Sequence, residues 1–256
     1  MSKLGLTALL LLVPAAASFE DALSWYAVKT RQSLTSMKDP VYTSIEDTDS
    51  LKVFKITKGP ATIKAFLIEK KAMKFGVSTI KPASADFYIN SNFFHQGGIP
   101  MGEVVSDGKR TSKRRRGGSY FYVKRGMPVV SRRPPPRRVN HSTQTILRGI
   151  TSGKLNKRLF RQKHAKVHTF RSLVGENKDQ IIVIVSDSFG LLTIEEICEI
   201  GKKLGVREGA LFDGGTSIDY KFRTHKKTHR FQSIPTLAKF ALNIDDPPVY
   251  IYANFN

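Results

Sequence analysis

The 256-residue sequence is sparing with several residue types: it has one cysteine, one tryptophan, and half as many acidic as basic side chains. A single thiol, Cys198, rules out an intramolecular disulfide, and no Cys/His cluster has zinc-site spacing. Cys198 lies in an amphipathic stretch, where a small buried hydrophobe is the ordinary role for such a residue. The chain lacks a P-loop, a G-x-G-x-x-G turn and a Ser-His-Asp ordering, which argues against nucleotide-binding motors and serine hydrolases. No internal period recurs, so solenoids and propellers are not expected. The longest apolar run falls short of the about 20 residues that span a bilayer core.

That run is at the N-terminus. Met1–Lys3 is a short positive segment, Leu4–Val13 is almost wholly apolar, and Pro14 breaks the run before Ala15-Ala16-Ala17-Ser18. This is the layout of a cleavable signal peptide. A membrane anchor would need a longer run, and a buried core helix would not end in an A-x-A-like site. The sequence therefore predicts export, with a secreted or periplasmic mature chain of about 238 residues, a length that fits one domain. The expected organisation is a signal peptide at 1–18, an N-terminal extension at 19–49 with a candidate helix over Phe19–Ser33, and one domain at 50–256.

The formal net charge is +21, unevenly placed: Lys109–Arg171 holds twenty Lys and Arg and no Asp or Glu. A field of one sign attracts polyanions and speeds their encounter. Nucleic acid, teichoic-type polymers, lipopolysaccharide phosphates and sugar phosphodiesters all fit, and a merely solubilising surface is the plain alternative. Apart from Tyr120-Phe121-Tyr122 the region has no interleaved aromatics for base stacking, which makes nucleic acid an unlikely partner. Two basic segments read as loop insertions. Residues 109–118 carry Arg114-Arg115-Arg116, and residues 132–138 enclose Pro134-Pro135-Pro136, which runs as polyproline II between arginines.

Alternation over Leu51–Ile56 and Ala61–Ile68, across a Lys58-Gly59-Pro60 turn, predicts two strands. Phe87–Ile89 is a short apolar strand running into Asn90, and Met101–Val105, Tyr120–Lys124 and Pro128–Ser131 are further short strands. Gln180–Ser186 is a fully apolar strand ending at Asp187. Thr193-Ile-Glu-Glu196 is a capping box for a helix that runs to about Leu204 and stops at Gly205. Ala210–Phe212 and Val249–Tyr252 are buried strands. These elements predict an α+β fold, a mixed β-sheet core with a few packed helices in a single domain.

The chemistry-bearing residues cluster at strand ends. Asp213 follows Ala210–Phe212 and precedes Gly214-Gly215, so its carboxylate is partly desolvated while the backbone can turn tightly beside a ligand. Asp-Gly pairs are also common turn formers. Asp187 ends the preceding strand. If the two strands are adjacent, both carboxylates reach one rim, as acid/base work on a glycosidic bond requires. An ordinary loop aspartate is the alternative. Asn90 is placed to offer its amide to a sugar hydroxyl or to form a turn. Arg171, just before an apolar strand, suits bidentate contact with phosphate or membership of the basic face. His95 and His141 are more plausibly surface residues than catalysts, and no metal ligands or cofactor are indicated.

Four landmarks then fall in order. Ile89-Asn90-Ser91-Asn92-Phe93-Phe94 resembles the I-N-G-G-F-F motif of the phosphodiester glycosidase family, and Ile99-Pro100-Met101-Gly102 with Asp107-Gly108 resembles its P-x-G and following turn. Arg171-Ser172-Leu173-Val174-Gly175 is similar to R-T-A-I-G. Leu211-Phe212-Asp213-Gly214-Gly215-Thr216-Ser217, after the capped helix, is similar to L-D-G-G-G-S. Ser91, Asn92 and Thr216 stand where the family has glycine, and the Arg/Pro-rich insertions have no counterpart. The resemblance spans about residues 50–254.

The resemblance implies hydrolysis of a sugar-1-phosphodiester without a cofactor. It implies Asp213 and Asp187 as catalytic carboxylates, and Asn90, Arg171, Gly214, Gly215 and Ser217 as substrate-binding residues. Export and charge then point to phosphate-linked envelope or exopolysaccharide glycans. The alternative is a non-catalytic protein that binds anionic polymers on the same scaffold.

Overall fold

The computed structural model describes residues 39–59, 61–95, 97–188, 190–234 and 245–256. The segment 1–18 expected to be a signal peptide and the candidate helix over Phe19–Ser33 lie outside the described residues. The chain begins with β1 (Val41–Asp47), β2 (Leu51–Lys58) and β3 (Ala61–Glu69), then β4 (Met73–Ser78) and β5 (Phe87–Asn90). Two hairpins follow, β6 (Phe94–His95) with β7 (Ile99–Pro100) and β8 (Val104–Ser106) with β9 (Lys109–Ser112). Next come β10 (Ser119–Lys124), β11 (Met127–Ser131), β12 (Ser142–Thr145), β13 (Leu147–Thr151), β14 (Lys154–Leu155) and the one-turn helix α1 (Lys157–Phe160). Last are β15 (Ser172–Glu176), β16 (Gln180–Ser186), helix α2 (Ile194–Lys203), β17 (Glu208–Phe212), β18 (Asp219–Arg223), β19 (Thr228–Gln232) and β20 (Tyr250–Phe255).

The strands form an eight-stranded sheet in the order β1-β2-β3-β16-β15-β17-β13-β14 and two five-stranded sheets, β11-β10-β12-β8-β9 and β19-β18-β5-β20-β4. All their pairings are antiparallel, from the β2–β3 hairpin to the packing of β20 between β4 and β5. This corrects the α+β expectation. The described chain is an all-antiparallel β structure with two helices, one of them a single turn. The error has a definite origin. The unit β16–α2–β17 reads as strand–helix–strand, but β15 lies between the two strands and pairs antiparallel with both. Leu173-Val174 with Gly175 is too short an apolar run to signal a strand of its own, so the pattern does not show the central antiparallel member.

Two cores lie on opposite faces of the large sheet. On one, Val183 and Val185 of β16 meet Phe66, Phe87, Tyr220 and Phe222, and the Phe66 ring stands edge-on to Phe222 at 4.7 Å. On the other, Ile182 and Ile184 pack under α2 with Ile194, Ile197, Cys198 and Ile200. Both faces of β16 are therefore covered, which explains its unbroken apolar run. Helix α2 is capped as the sequence predicts: Thr193 Oγ1 accepts from Glu196 N at 3.2 Å, and Glu196 Oε2 accepts from Thr193 N at 2.9 Å. Such a cap contributes about 1 kcal/mol.

Candidate functional site

Ser172, the first residue of β15, pairs with Val185 of β16 on one side and Phe212 of β17 on the other. Arg171, Asp187 and Asp213 consequently emerge at one end of three neighbouring strands. The two aspartate-bearing strands are not adjacent. With β15 between them their axes are about 9–10 Å apart at the usual strand spacing.

Asp213 is held through its backbone. Its N–H donates to Ser91 O at 2.8 Å, and its carbonyl accepts from Asn90 Nδ2 at 3.1 Å and Ser172 Oγ at 3.3 Å. Its Oδ1 accepts from Gly214 N at 3.0 Å. Two separate segments, Asn90-Ser91 at the end of β5 and Ser172 of β15, thus fix the main chain at Asp213, while the residue itself remains partly exposed at the strand end. The glycines serve the fit. A Cβ on Gly214 would overlap Phe170 O, and Gly215, at φ +58°, donates its N–H to the same carbonyl at 2.8 Å. Ser217 is buried in the following short 3₁₀ turn, where its N–H donates to Gly214 O at 3.0 Å.

Asn90 has no exposed surface, and its amide spans the turn: Nδ2 reaches Asp213 O and Oδ1 accepts from Asp219 N at 3.1 Å. The sequence offers Asn90 for a sugar hydroxyl or for a turn, and in this structure its amide engages the main chain at both ends of residues 213–219. Ser91 and Asn92 are also buried, and neither has a positive φ, so the two residues that replace family glycines sit in ordinary backbone conformations. Asn92 Oδ1 accepts from Ser91 Oγ at 3.2 Å and from Thr143 Oγ1.

Arg171 is bound to the scaffold on several sides. Its Nε donates to Leu192 O at 3.2 Å, and Nη2 donates to Val167 O at 2.8 Å and His164 O at 3.2 Å. Its backbone exchanges hydrogen bonds with Ser186, as donor to Oγ at 2.8 Å and acceptor from N at 2.9 Å. The guanidinium is therefore held against the 164–167 segment and Leu192, and its positive charge is felt by the Cys198 thiol. Asp187 accepts from Ser188 N at 2.8 Å through Oδ1, and its Oδ2 lies 3.6 Å from Lys64 Nζ. Its charge is felt between the layers. Burial first, and then Asp187, push the Tyr220 phenol well above its usual range. His229 is pushed down to about 4 by burial and by Lys64 and Lys227, against an upward pull from Glu46 and Asp187.

The sequence reading does not single out Asp219, yet it is the most enclosed carboxylate near Asp213. It is 4% exposed, sits across from Asn90, and its Oδ2 is 2.6 Å from Lys81 Nζ. Tyr88 and Tyr250 also hydrogen-bond to it. Burial, followed by the Asp219 charge, raises both phenols. For Lys81 burial alone would lower the ammonium, but its hydrogen bond and ion pair with Asp219 outweigh that and raise it. Lys81 and Lys221 both lie over the Tyr88 ring, at 5.3 and 5.7 Å from its centroid. The signal was present in the alternation Asp219-Tyr-Lys-Phe-Arg223, which turns Tyr220 and Phe222 inward and leaves Asp219 and Lys221 on the opposite face. Among the described residues no three His, Cys, Asp or Glu side chains gather closely enough to hold a metal ion.

The arrangement offers a carboxylate on a tightly held turn, a buried carboxylate beside it that is paired with an exposed lysine and two tyrosines, and a further carboxylate with its own lysine two strands away. Such a set can move a proton at a bound polar substrate and balance an anionic charge.

Comparison with known proteins bears on what that substrate is. The family model for phosphodiester glycosidase matches residues 83–236, which include Asn90, Arg171, Asp187 and the whole Asp213–Asp219 turn. The fold is similar to the zebrafish N-acetylglucosamine-1-phosphodiester alpha-N-acetylglucosaminidase catalytic domain auto-inhibited by its pro-peptide. The TM-score is 0.58 and the identity 12%, over 85% of this chain and 83% of that one. A protein from Synechocystis has a TM-score of 0.55 and 12% identity, over 86% of this chain and 64% of that one. At such identities the two structures speak for the fold alone. No curated protein matches the chain by sequence.

Proposed function

The chain belongs to the phosphodiester glycosidase family, and from that premise we propose that it hydrolyses a sugar-1-phosphodiester, parting the anomeric carbon from the phosphate oxygen. The observation that carries this reading is the tether on Asp213, whose backbone is pinned by Asn90, Ser91 and Ser172 while Gly214 orients one carboxylate oxygen. A carboxylate is worth holding this firmly only where its position matters to about 1 Å. A phosphate monoester leaves readily with the bonding pair and needs little help from a general acid. The remaining demand is a base for the attacking water, or an anion beside the oxocarbenium-like centre, and Asp213 meets it. The water oxygen bonds to the anomeric carbon and its proton passes to the carboxylate.

In this reading Asp187 is the second carboxylate, and Arg171, fixed by three backbone carbonyls, supplies positive charge for the departing phosphate. Gly214, Gly215 and Ser217 shape the wall of the turn, and Asn90 and Asp219 secure its two ends. The zebrafish relative is named for a reaction on N-acetylglucosamine-1-phosphodiester, which makes that compound the first to test. The leader pattern at 1–18 and the basic surface support an exported enzyme acting on phosphate-linked envelope or exopolysaccharide glycans.

The test presents the mature protein with a panel of sugar-1-phosphodiesters that includes N-acetylglucosamine-1-phosphodiester, and measures free sugar and phosphomonoester. Release is expected. Asp213→Asn should lower turnover by at least about 10²-fold while substrate affinity is retained. A panel that yields no free sugar, or an Asp213→Asn protein with undiminished turnover, sinks the assignment and leaves the binding-protein alternative.

A further inference from the structure

The basic insertion at 109–118 is no loose tail. Glu103, with no exposed surface, binds Arg110 through Oε1 at 3.0 Å and Arg114 through Oε2 at 2.8 Å. Gln144, equally buried, fastens the backbone beyond: Oε1 accepts from Arg115 N at 2.9 Å, and Nε2 donates to Arg115 O at 2.7 Å and Gly117 O at 2.9 Å. Arg148 adds two bonds to Gly118 O, at 3.1 and 2.8 Å. A buried carboxylate and a buried amide therefore hold in place a loop whose side chains from Lys113 to Arg116 are exposed. If the cluster were only a solubilising surface, these internal anchors would be unnecessary.

The loop forms one wall of a groove of about 650 Å³, lined by Arg110, Thr111, Ser112, Lys113 and Arg115 on one side and by Ile99 and Pro100 on the other. Ser112 Oγ donates to Pro100 O at 3.3 Å, and Arg115 Nη2 lies 3.3 Å from His95 Nε2, so the β6–β7 hairpin closes the groove. That hairpin leaves directly from the candidate site. Only four residues separate Asn90 from His95, a reach of at most about 17 Å even for a fully extended chain. Among the described residues the lining combines cations, hydroxyls and two apolar side chains and includes no aromatic ring on which a base could stack.

We infer that this groove binds the substrate polymer itself, taking a second phosphate of a phosphodiester-linked glycan chain while a neighbouring glycosyl phosphate occupies the Asp213 turn. The inference rests on the hydrolase reading for the identity of the occupant. The physical case is that Lys113, Arg115 and Arg116 keep their charge outward on a fixed frame, so little ordering cost opposes capture of a flexible polyanion. Arg110 gives the wall additional charge, partly offset by Glu103. Nucleic acid has the same phosphates but would leave its bases without a platform.

The test measures binding of fluorescently labelled poly(glycerol phosphate) by anisotropy, alongside single-stranded DNA of equal charge. If three cations each neutralise one phosphate, the single-strand coefficient of about −0.7 per phosphate predicts a log–log salt slope near −2, or about a 20-fold loss of affinity between about 50 and 200 mM salt. Joint charge reversal, Lys113→Glu with Arg115→Glu and Arg116→Glu, should weaken polymer binding at least tenfold. It should also lower kcat/KM on a glycosyl-1-phosphate polymer relative to a single sugar-1-phosphodiester by a similar factor. Reversal of Arg132, Arg133 and Arg137 to Glu is the charge-matched control, and thermal melts establish that both proteins fold. Equal weakening by the two sets, or DNA bound as tightly as the polymer, overturns the inference. A glycosyl-1-phosphate polymer that binds at the groove but is never cleaved, with no single sugar-1-phosphodiester cleaved either, leaves the groove standing and removes the hydrolase reading. Cleavage of small substrates without polymer binding does the reverse.

Discussion

Replacing Gly214 by alanine probes the fit that holds Asp213. Gly214 has φ −124° and ψ −146°, outside the left-handed region, so a positive φ plays no part. The difficulty is space. The added Cβ would overlap Phe170 O and stand 3.3 Å from Phe170 C and 3.5 Å from Arg171 Cα, all main-chain atoms with no rotamer to yield. Relief requires on the order of 1 Å of movement, and a misplacement of that size costs about 10²-fold in a reaction that depends on position. The same movement strains the Asp213–Asn90 and Gly215–Phe170 hydrogen bonds, so overpacking should cost about 1–3 kcal/mol, with Tm falling about 2–4 °C for each kcal/mol in a chain of this size. Gly205→Ala is the comparison. It has nothing within 4 Å of the new Cβ but a φ of +86°, so it should lose about 1–2 kcal/mol with no effect on turnover. Turnover on a sugar-1-phosphodiester and melting by circular dichroism separate the two. If Gly214→Ala matches wild type in both, the turn is not tight, and the geometric argument for Asp213 fails with it.

Two further outcomes follow from burial. His229 titrates at about 4 in the folded chain against 6.5 unfolded, so the unfolded state takes up the proton first. Stability should therefore drop as pH falls from 6.5 towards 4, and His229→Phe should flatten that part of the urea-midpoint profile; parallel profiles would refute the assignment. The thiol of Cys198 is fully buried and pushed far up by desolvation, with Arg171 opposing and Glu195 and Glu199 adding to the rise. A thiol reagent should react with it only as fast as the protein opens, and rapid stoichiometric labelling of the native chain would contradict that.

Local signals in the sequence proved faithful where the physics is local. The capping box Thr193–Glu196 appears with both of its hydrogen bonds, and the strand Gln180–Ser186 has the limits its apolar run gives it. Layer order was not legible. Whether β16 and β17 are neighbours depends on β15, whose five residues carry a glycine and begin with Ser172, and a pattern so brief cannot be told from a loop. The same blindness hid β12, because all four of its residues, Ser142–Thr145, are polar and yet fully buried. They are buried because Gln144 and Thr143 serve the basic loop and Asn92 rather than an apolar core. The candidate site follows the same division. Asp213 and its glycines could be read from composition at a strand end. The part played by Asn90, which joins Asp213 to Asp219 across two sheets, required the register that sets Asn90 of β5 opposite the start of β18. Asp219 therefore belongs with Asp213 for a reason no linear spacing expresses: one buried amide fixes both ends of the turn between them.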